Sequence, residues 1–201
     1  RGCRQAMGDV LVFASAHVYP VYEDWLEKLL IPFQDQKVAL VYGKQRGNET
    51  TQYAEQQIFH RWFPDQSQLN QEHPFCNNAN AAIRRDLWQQ VPYDETLTGL
   101  EDIDWAKRIT TLGYKIAYAA DAEIIHVHDE KMSQIYNRYC REGIAMKRIF
   151  PHERFGFFDF LRLFTTNVAN DYIHAIREKQ LFRHLSNVFF FRLMQFWGTY
   201  R

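Results

Sequence analysis

Residues 94–126 read DETLTGLEDIDWAKRITTLGYKIAYAADAEIIH, and this stretch decides the fold. Trp105, Ala106, Ile109 and Leu112 recur at helical spacing as one apolar stripe, and Gly113 is placed to end that helix in a left-handed cap. Asp102 and Asp104 fall in its first turn, where carboxylates meet the positive end of the helix dipole. KIAYAA (115–120) and AEIIHVH (122–128) follow as two short strands. A helix leading into buried strands is the alternation of an α/β domain.

Upstream, GDVLVFA (8–14) is a continuous apolar run, the pattern of a strand buried on both faces in a parallel sheet. Trp25, Leu26, Leu29 and Leu30 then recur at helical spacing until Pro32, which predicts a helix over 22–31. VALVYG (38–43) is a second buried strand, closed by glycine. The polar stretch 44–74, dotted with Tyr53, Phe59, Trp62 and Phe63, is expected to be a helix within a long functional connection. In NNANAAIRRDLWQQV (77–91), Asn78 or Asn80 could cap a helix running to Val91. Residues 1–130 are thus expected to form an α/β domain with a mixed sheet.

From Lys131 onward the pattern is helical only, so 131–201 is a helical C-terminal extension. Helices are expected over 132–150, to about 179 after the Phe-rich FGFFDFLRLF (155–164), and over 181–201. The last has no Asp or Glu and places Leu181, Leu185, Val188, Phe189, Leu193 and Phe196 on one face. Such a helix suits either a membrane interface or packing on the domain.

Composition narrows the function. Hydrophobic residues at 46% and charged residues at 24% exclude disorder. A formal net charge of zero excludes a general nucleic-acid binder, leaving no nucleic acid among the expected partners. Cys3, Cys76 and Cys140 lack metal-type spacing and are expected to be reduced thiols of a cytoplasmic protein. No apolar run approaches the ~18 residues of a membrane span. The chain opens on Arg1 rather than Met, and is expected to be a segment of a longer protein.

Four constellations could carry chemistry. Glu101-Asp102 at a helix start is placed to take a proton from a substrate hydroxyl, although the same acids also serve to charge-match a helix. His126 and His128 fall on one strand face, which suits either a metal or hydrogen-bonded surface histidines. Ser15-Ala16-His17 ends the first strand, where open α/β sheets bind ligands. Arg84 and Arg85, in the first turns of an Asn-opened helix, could receive an anion.

Taken in order, these pieces resemble the family 2 glycosyltransferases of the GT-A type. The pieces are R-G-x-x-x-A-x-G-D before an apolar strand, an Asn-rich segment with Arg-Arg, E-D-I-D-W-A-x-R, then G-Y-K-I-A-Y and a strand ending in His. The resemblance covers 1–130 and is most specific over 94–126; around 15–45 it is similar to bacterial rhamnosyltransferase-like members. It implies a Rossmann-like domain without its first, nucleotide-binding strands. It also implies transfer of a sugar, with inversion, from a nucleotide-sugar donor to a glycan or lipid-linked acceptor in cell-surface polysaccharide synthesis. Asp102 would be the base, and Glu101 would help position the acceptor. Ser15, His17, Arg84 and Arg85 would serve the donor diphosphate, and Asn78, Asn80 and Trp105 the acceptor. His17, His126 and His128 would serve a divalent metal, Mn or Mg. A lipid-linked acceptor implies a protein peripheral on the inner face of the cell membrane.

The sequence departs from the family at Ser15-Ala16-His17, where the family usually has Asp-x-Asp; two anionic oxygen ligands are lost there. That departure leaves open a non-catalytic glycan-binding or scaffold domain. A metal-dependent hydrolase built on His126, His128 and Asp129 lacks a further ligand set.

Overall fold

The computed structural model describes residues 2–201, so Arg1, which opens the first motif above, lies outside the described residues. The chain forms two compact units. One comprises Arg1–Asn48, Phe59–Thr96 and Glu101–Val127; the other comprises Glu49–Ile58, Leu97–Leu100 and His128–Arg201. The helical unit therefore begins at His128 and also takes in two segments that lie within 1–130.

In chain order the elements up to residue 126 are α1 (Gly2–Gln5), β1 (Val10–Ala14), β2 (Val18–Pro20), α2 (Trp25–Leu30), β3 (Val38–Arg46), α3 (Tyr53–Trp62), β4 (Asn80–Arg84), α4 (Arg85–Gln90), α5 (Glu101–Thr111) and β5 (Lys115–His126). The five strands form one sheet in the order β1-β4-β3-β5-β2. β3 and β5 run parallel and the other pairings are antiparallel, so the sheet is mixed as expected. Period-two alternation sends Leu40, Tyr42, Ile116 and Tyr118 to one face, under Trp105, Ala106 and Ile109 of α5. Val41, Ala117 and Ala119 go to the other, under Leu29 and Phe33. Gly113, with φ of 85°, ends α5 in the left-handed region as its sequence predicts.

Five local expectations are corrected. β1 is not buried on both faces: Leu11 alone among its residues is buried, and it pairs antiparallel to β4. Residues 15–20 turn at once into β2, too short to carry a sequence pattern. Pro32 does not end the chain's helical path but opens a 3-10 turn, Ile31–Gln34. The Asn-Ala segment forms β4 before the six-residue α4, because small side chains fit a position between β1 and β3 that buries four of β4's five residues. Finally, the two strands expected over 115–128 are one strand, β5, and β3 continues past Gly43 to Arg46. Gly43 does not close the strand. A Cβ there would overlap the Ala122 carbonyl oxygen and the Asn80 amide, so glycine permits the close approach of β5 at a register shift.

The helical unit contains α6 (Met132–Ile149), α7 (Phe157–Arg177) and α8 (Leu181–Tyr200), with Ile135, Ala175, Val188 and Phe191 in its core. The apolar face of α8 differs from that drawn by spacing: Leu185 and Phe189 are exposed, whereas Phe191 and Arg192 are buried. Arg192 tolerates burial because Asp171 accepts two hydrogen bonds from it, at 2.8 and 3.0 Å, and the Ala54 carbonyl a third at 3.2 Å. α6 and α8 approach closely at Gly198, where a Cβ would lie 2.7 Å from the Tyr136 carbonyl oxygen. Among the described residues no helix is long and apolar enough to cross a membrane.

Candidate functional site

The acid pair opens α5. Leu100, immediately before it, holds φ at 57°, a conformation that costs leucine about 1–2 kcal/mol. Asp102 is 7% exposed, and its two carboxylate oxygens accept from the backbone N–H groups of Asn78 (2.9 Å) and Ile103 (2.8 Å). The Asn78 side-chain amide donates to Glu101 at 3.1 Å, and the Tyr93 hydroxyl donates to the side-chain oxygen Oδ1 of Asn78 at 3.3 Å. One residue thus holds both acids, and the Tyr93 bond fixes which way its amide points. Burial, with Glu101 second, raises the Asp102 carboxyl from 3.8 to about 7 against the pull of those N–H bonds. The neighbouring Cys76 thiol is pushed well up, by burial first and then by Asp102 and Glu101. A carboxyl that ionises near neutrality can take a proton at physiological pH.

The end of β1 adjoins the same segment: the Ser15 N–H donates to the Ala79 carbonyl at 3.2 Å, one residue from Asn78. His17 follows on an exposed turn, and pairing of β2 with β5 sets it beside His126. Their Nε2 atoms are 3.0 Å apart with rings stacked at 4.8 Å. His126 is buried, and its Nδ1 lies 2.8 Å from Gln45 Oε1. An amide oxygen there makes Nδ1 the protonated nitrogen and leaves a lone pair on Nε2. Gln45, itself 1% exposed, has no other partner for its Nε2. A divalent metal fits this pair in three respects. Two imidazole nitrogens converge, their separation suits adjacent corners around an ion with bonds of about 2.1 Å, and a buried amide orients the inner ring.

Other expected site residues have protein partners of their own. Asn80 is fully buried, donating to the carbonyls of Ala122 (2.8 Å) and Lys44 (3.1 Å) and accepting from Trp25 (2.9 Å); it joins strands and offers nothing to an acceptor. Trp105 is 0% exposed, with its indole N–H on the Val91 carbonyl, so it is core. Arg84 ends a strand, not the first turn of a helix, and its guanidinium serves the carbonyls of Val38, Phe33 and Asp35. Arg85 reaches the Ala6 carbonyl at 3.4 Å and Asp9 at 3.9 Å. His128 belongs to the helical unit, where its Nδ1 is 2.7 Å from Glu55. Arg138 bridges Glu55 (2.8 Å) and Glu130 (2.7 Å) in the same cluster. Burial would raise Glu55, but His128 and Arg138 hold it below the usual range. Glu55, His128 and Glu130 also converge closely enough to hold a metal, although the Arg138 guanidinium already pairs with both carboxylates. Sequence reading missed Gln45, Tyr93 and Glu55; nothing in their local pattern marks them, since their partners are 81, 15 and 73 residues away.

With this geometry in place, comparison with a solved structure decides the class of fold. A mannosyltransferase from Pyrobaculum calidifontis, solved with GDP-Man and Mn2+, superposes with a TM-score of 0.59 over 98% of this chain and 60% of its own, at 15% identity. The chain shares the fold of that mannosyltransferase. Sequence relatives agree: the O-antigen chain rhamnosyltransferases of Salmonella typhimurium and Salmonella anatum are 25% and 28% identical over 147 residues, 68% of this chain. The chain spans about half the length of these curated relatives, 46% in each case. No protein-family profile matches it. Within this fold the acid pair starts a helix over one face of the sheet, and the histidine pair sits where β2 pairs with β5.

Proposed function

We propose that the chain is the acceptor-side part of an inverting glycosyltransferase of family 2 and GT-A type, close to the rhamnosyltransferases, acting in cell-surface polysaccharide synthesis. The observation that carries this reading is the buried Asp102 carboxyl, gripped by Asn78 at the start of α5. Asp102 removes the proton from an acceptor hydroxyl. The oxygen forms a bond to the donor's anomeric carbon as the bond to the diphosphate breaks on the opposite side, and the nucleoside diphosphate leaves with the electron pair. Glu101 keeps the Asp102 carboxyl basic, and Asn78 keeps it aimed. His17 and His126 would hold a divalent cation, Mn or Mg, which when bound offsets charge on the leaving diphosphate. Asn78 acts on the acids rather than on the acceptor. The exposed Phe158 and Phe182, 84% and 92% exposed, support peripheral attachment at the inner face of the membrane and a lipid-linked acceptor.

The test is Asp102→Asn in the complete protein, assayed by nucleoside diphosphate release from nucleotide sugars. Turnover is expected to fall by the ~10²–10⁴ typical of losing a general base. Asp104→Asn should leave it near the parent value, because Asp104 pairs outward with Arg108 at 2.8 Å. Full activity in Asp102→Asn removes the residue from the role. Ser15-Ala16-His17, lacking the family's carboxylates, favours a second reading, a non-catalytic glycan-binding domain; sugar-nucleotide turnover by the complete protein excludes it.

A further inference from the structure

The connection from α3 to β4 lies over the sheet face that carries Tyr42 and Tyr118, and between them is a cavity of about 230 Å³. That is below the ~300–1,000 Å³ of sites for drug-sized ligands. Its floor is aromatic, with the Tyr42 and Tyr118 rings 5.0 Å apart. Their hydroxyls are committed inward: Tyr118 donates to the Pro64 carbonyl at 2.7 Å and Tyr42 to the Gln71 amide oxygen. Gln71 in turn donates to the carbonyls of His73 (2.7 Å) and Phe75 (2.6 Å). The floor is therefore preformed, and with each of its rings 2% exposed it is closed; the accessible ring surface belongs to the wall. Trp62 makes a wall, stacked on Phe75 at 4.6 Å yet 45% exposed. Arg61, Gln68 and His73 are exposed around it, and no lining residue is acidic.

An exposed aromatic wall with a rim of donors and acceptors matches a pyranose, whose C–H faces stack on aromatic rings while its hydroxyls point outward. A cation finds no carboxylate here. A phosphate would leave the aromatic wall unused. Phe75, on which Trp62 stacks, is three residues from Asn78, which holds the acids, so the Cα atoms of Phe75 and Asn78 are at most about 11 Å apart. The cavity also shares its sheet face with α5.

We propose that this cavity is a subsite for a neutral pyranose of the acceptor glycan, beyond the unit that is glycosylated, with Trp62 as its stacking platform. The inference rests on the transferase reading for its role but not for its binding. Saturation-transfer NMR on the 201-residue chain with methyl α-rhamnopyranoside and methyl α-mannopyranoside tests it. Saturation should concentrate on the protons of one ring face. Trp62→Ala should raise the dissociation constant about fivefold or more, the loss of one aromatic contact, and Trp62→Phe should recover part of it. Asp102→Asn should bind as the parent does.

An unchanged constant in Trp62→Ala, or no saturation of either glycoside by folded parent, overturns the subsite. So does displacement of both glycosides by a nucleoside diphosphate in the parent together with loss of nucleotide binding in Trp62→Ala, which would assign the cavity to the donor. Failure of the transferase reading looks different: the complete protein would turn over no nucleotide sugar while the Trp62 results stood.

Discussion

Replacing Glu101 with glutamine removes a charge beside Asp102 while keeping an oxygen for the Asn78 amide to bind. Asp102 is raised to about 7, first by burial and then by Glu101. Glutamine leaves the burial in place, so only the second share disappears. A like charge about 6 Å away at an effective dielectric near 20 is worth about 3 kcal/mol, or about two pKa units. As the smaller of the two causes, its removal should lower the Asp102 midpoint by about one to two units. At pH 6 the parent carboxyl is about one-tenth ionised and that of the variant about half or more, a gain of roughly fivefold in basic form. The Asp102 Cγ shift followed by carbon-13 NMR from pH 4 to 9 measures both midpoints, with Asp102→Asn assigning the resonance. Stability changes with a definite sign. Between 3.8 and about 7 the native state retains a proton that the unfolded chain has lost, so stability is present below that window and falls as pH rises through it. Glu101→Gln should flatten that fall. A parent midpoint below pH 5, or no shift in Glu101→Gln, refutes the account of the acid pair.

Gly43→Ala should destabilise the chain by about 1–3 kcal/mol in urea unfolding, because its Cβ has no room against Ala122 and Asn80. Arg192→Met should cost about 3–5 kcal/mol by leaving Asp171 buried and unpaired, and Arg192→Met with Asp171→Leu should recover much of it, as read from the same unfolding curves. Binding to anionic vesicles, measured by sedimentation, should weaken in Phe182→Asp with Phe190→Asp at unchanged stability, since both side chains are exposed. Phe191→Asp, by contrast, should unfold the helical unit, because Phe191 is 0% exposed.

Elements whose period is long and one-sided were legible in the sequence: α5 with its Gly113 cap, α6 and α8 lie where spacing puts them, whereas α7 already begins at Phe157, inside the Phe-rich stretch expected to precede it. β4 was not, because alanines and asparagines carry no period of their own; its neighbours in the sheet make it a strand. The same cause separates the site residues. Asp102 could be picked out because a carboxylate at a helix start is a local pattern. Arg84, Asn80 and Trp105 have the right chemistry for ligands, but long-range carbonyls claim their polar atoms, and no local pattern reports that. Gln45 and Tyr93 act only through partners brought close by folding.

The strand order has a consequence for how this chain can associate. β2 is three residues long and ends in Pro20, which lacks an N–H, so that side of the sheet resists a further strand. β1 is five residues long, carries the half-exposed Val12, and pairs on one side only among the described residues. The sheet can therefore grow in one direction. When the chain is handled alone, the backbone of residues 10–14 is where a foreign strand would register, and a lysine at Val12 is the smallest change that should keep such preparations monomeric.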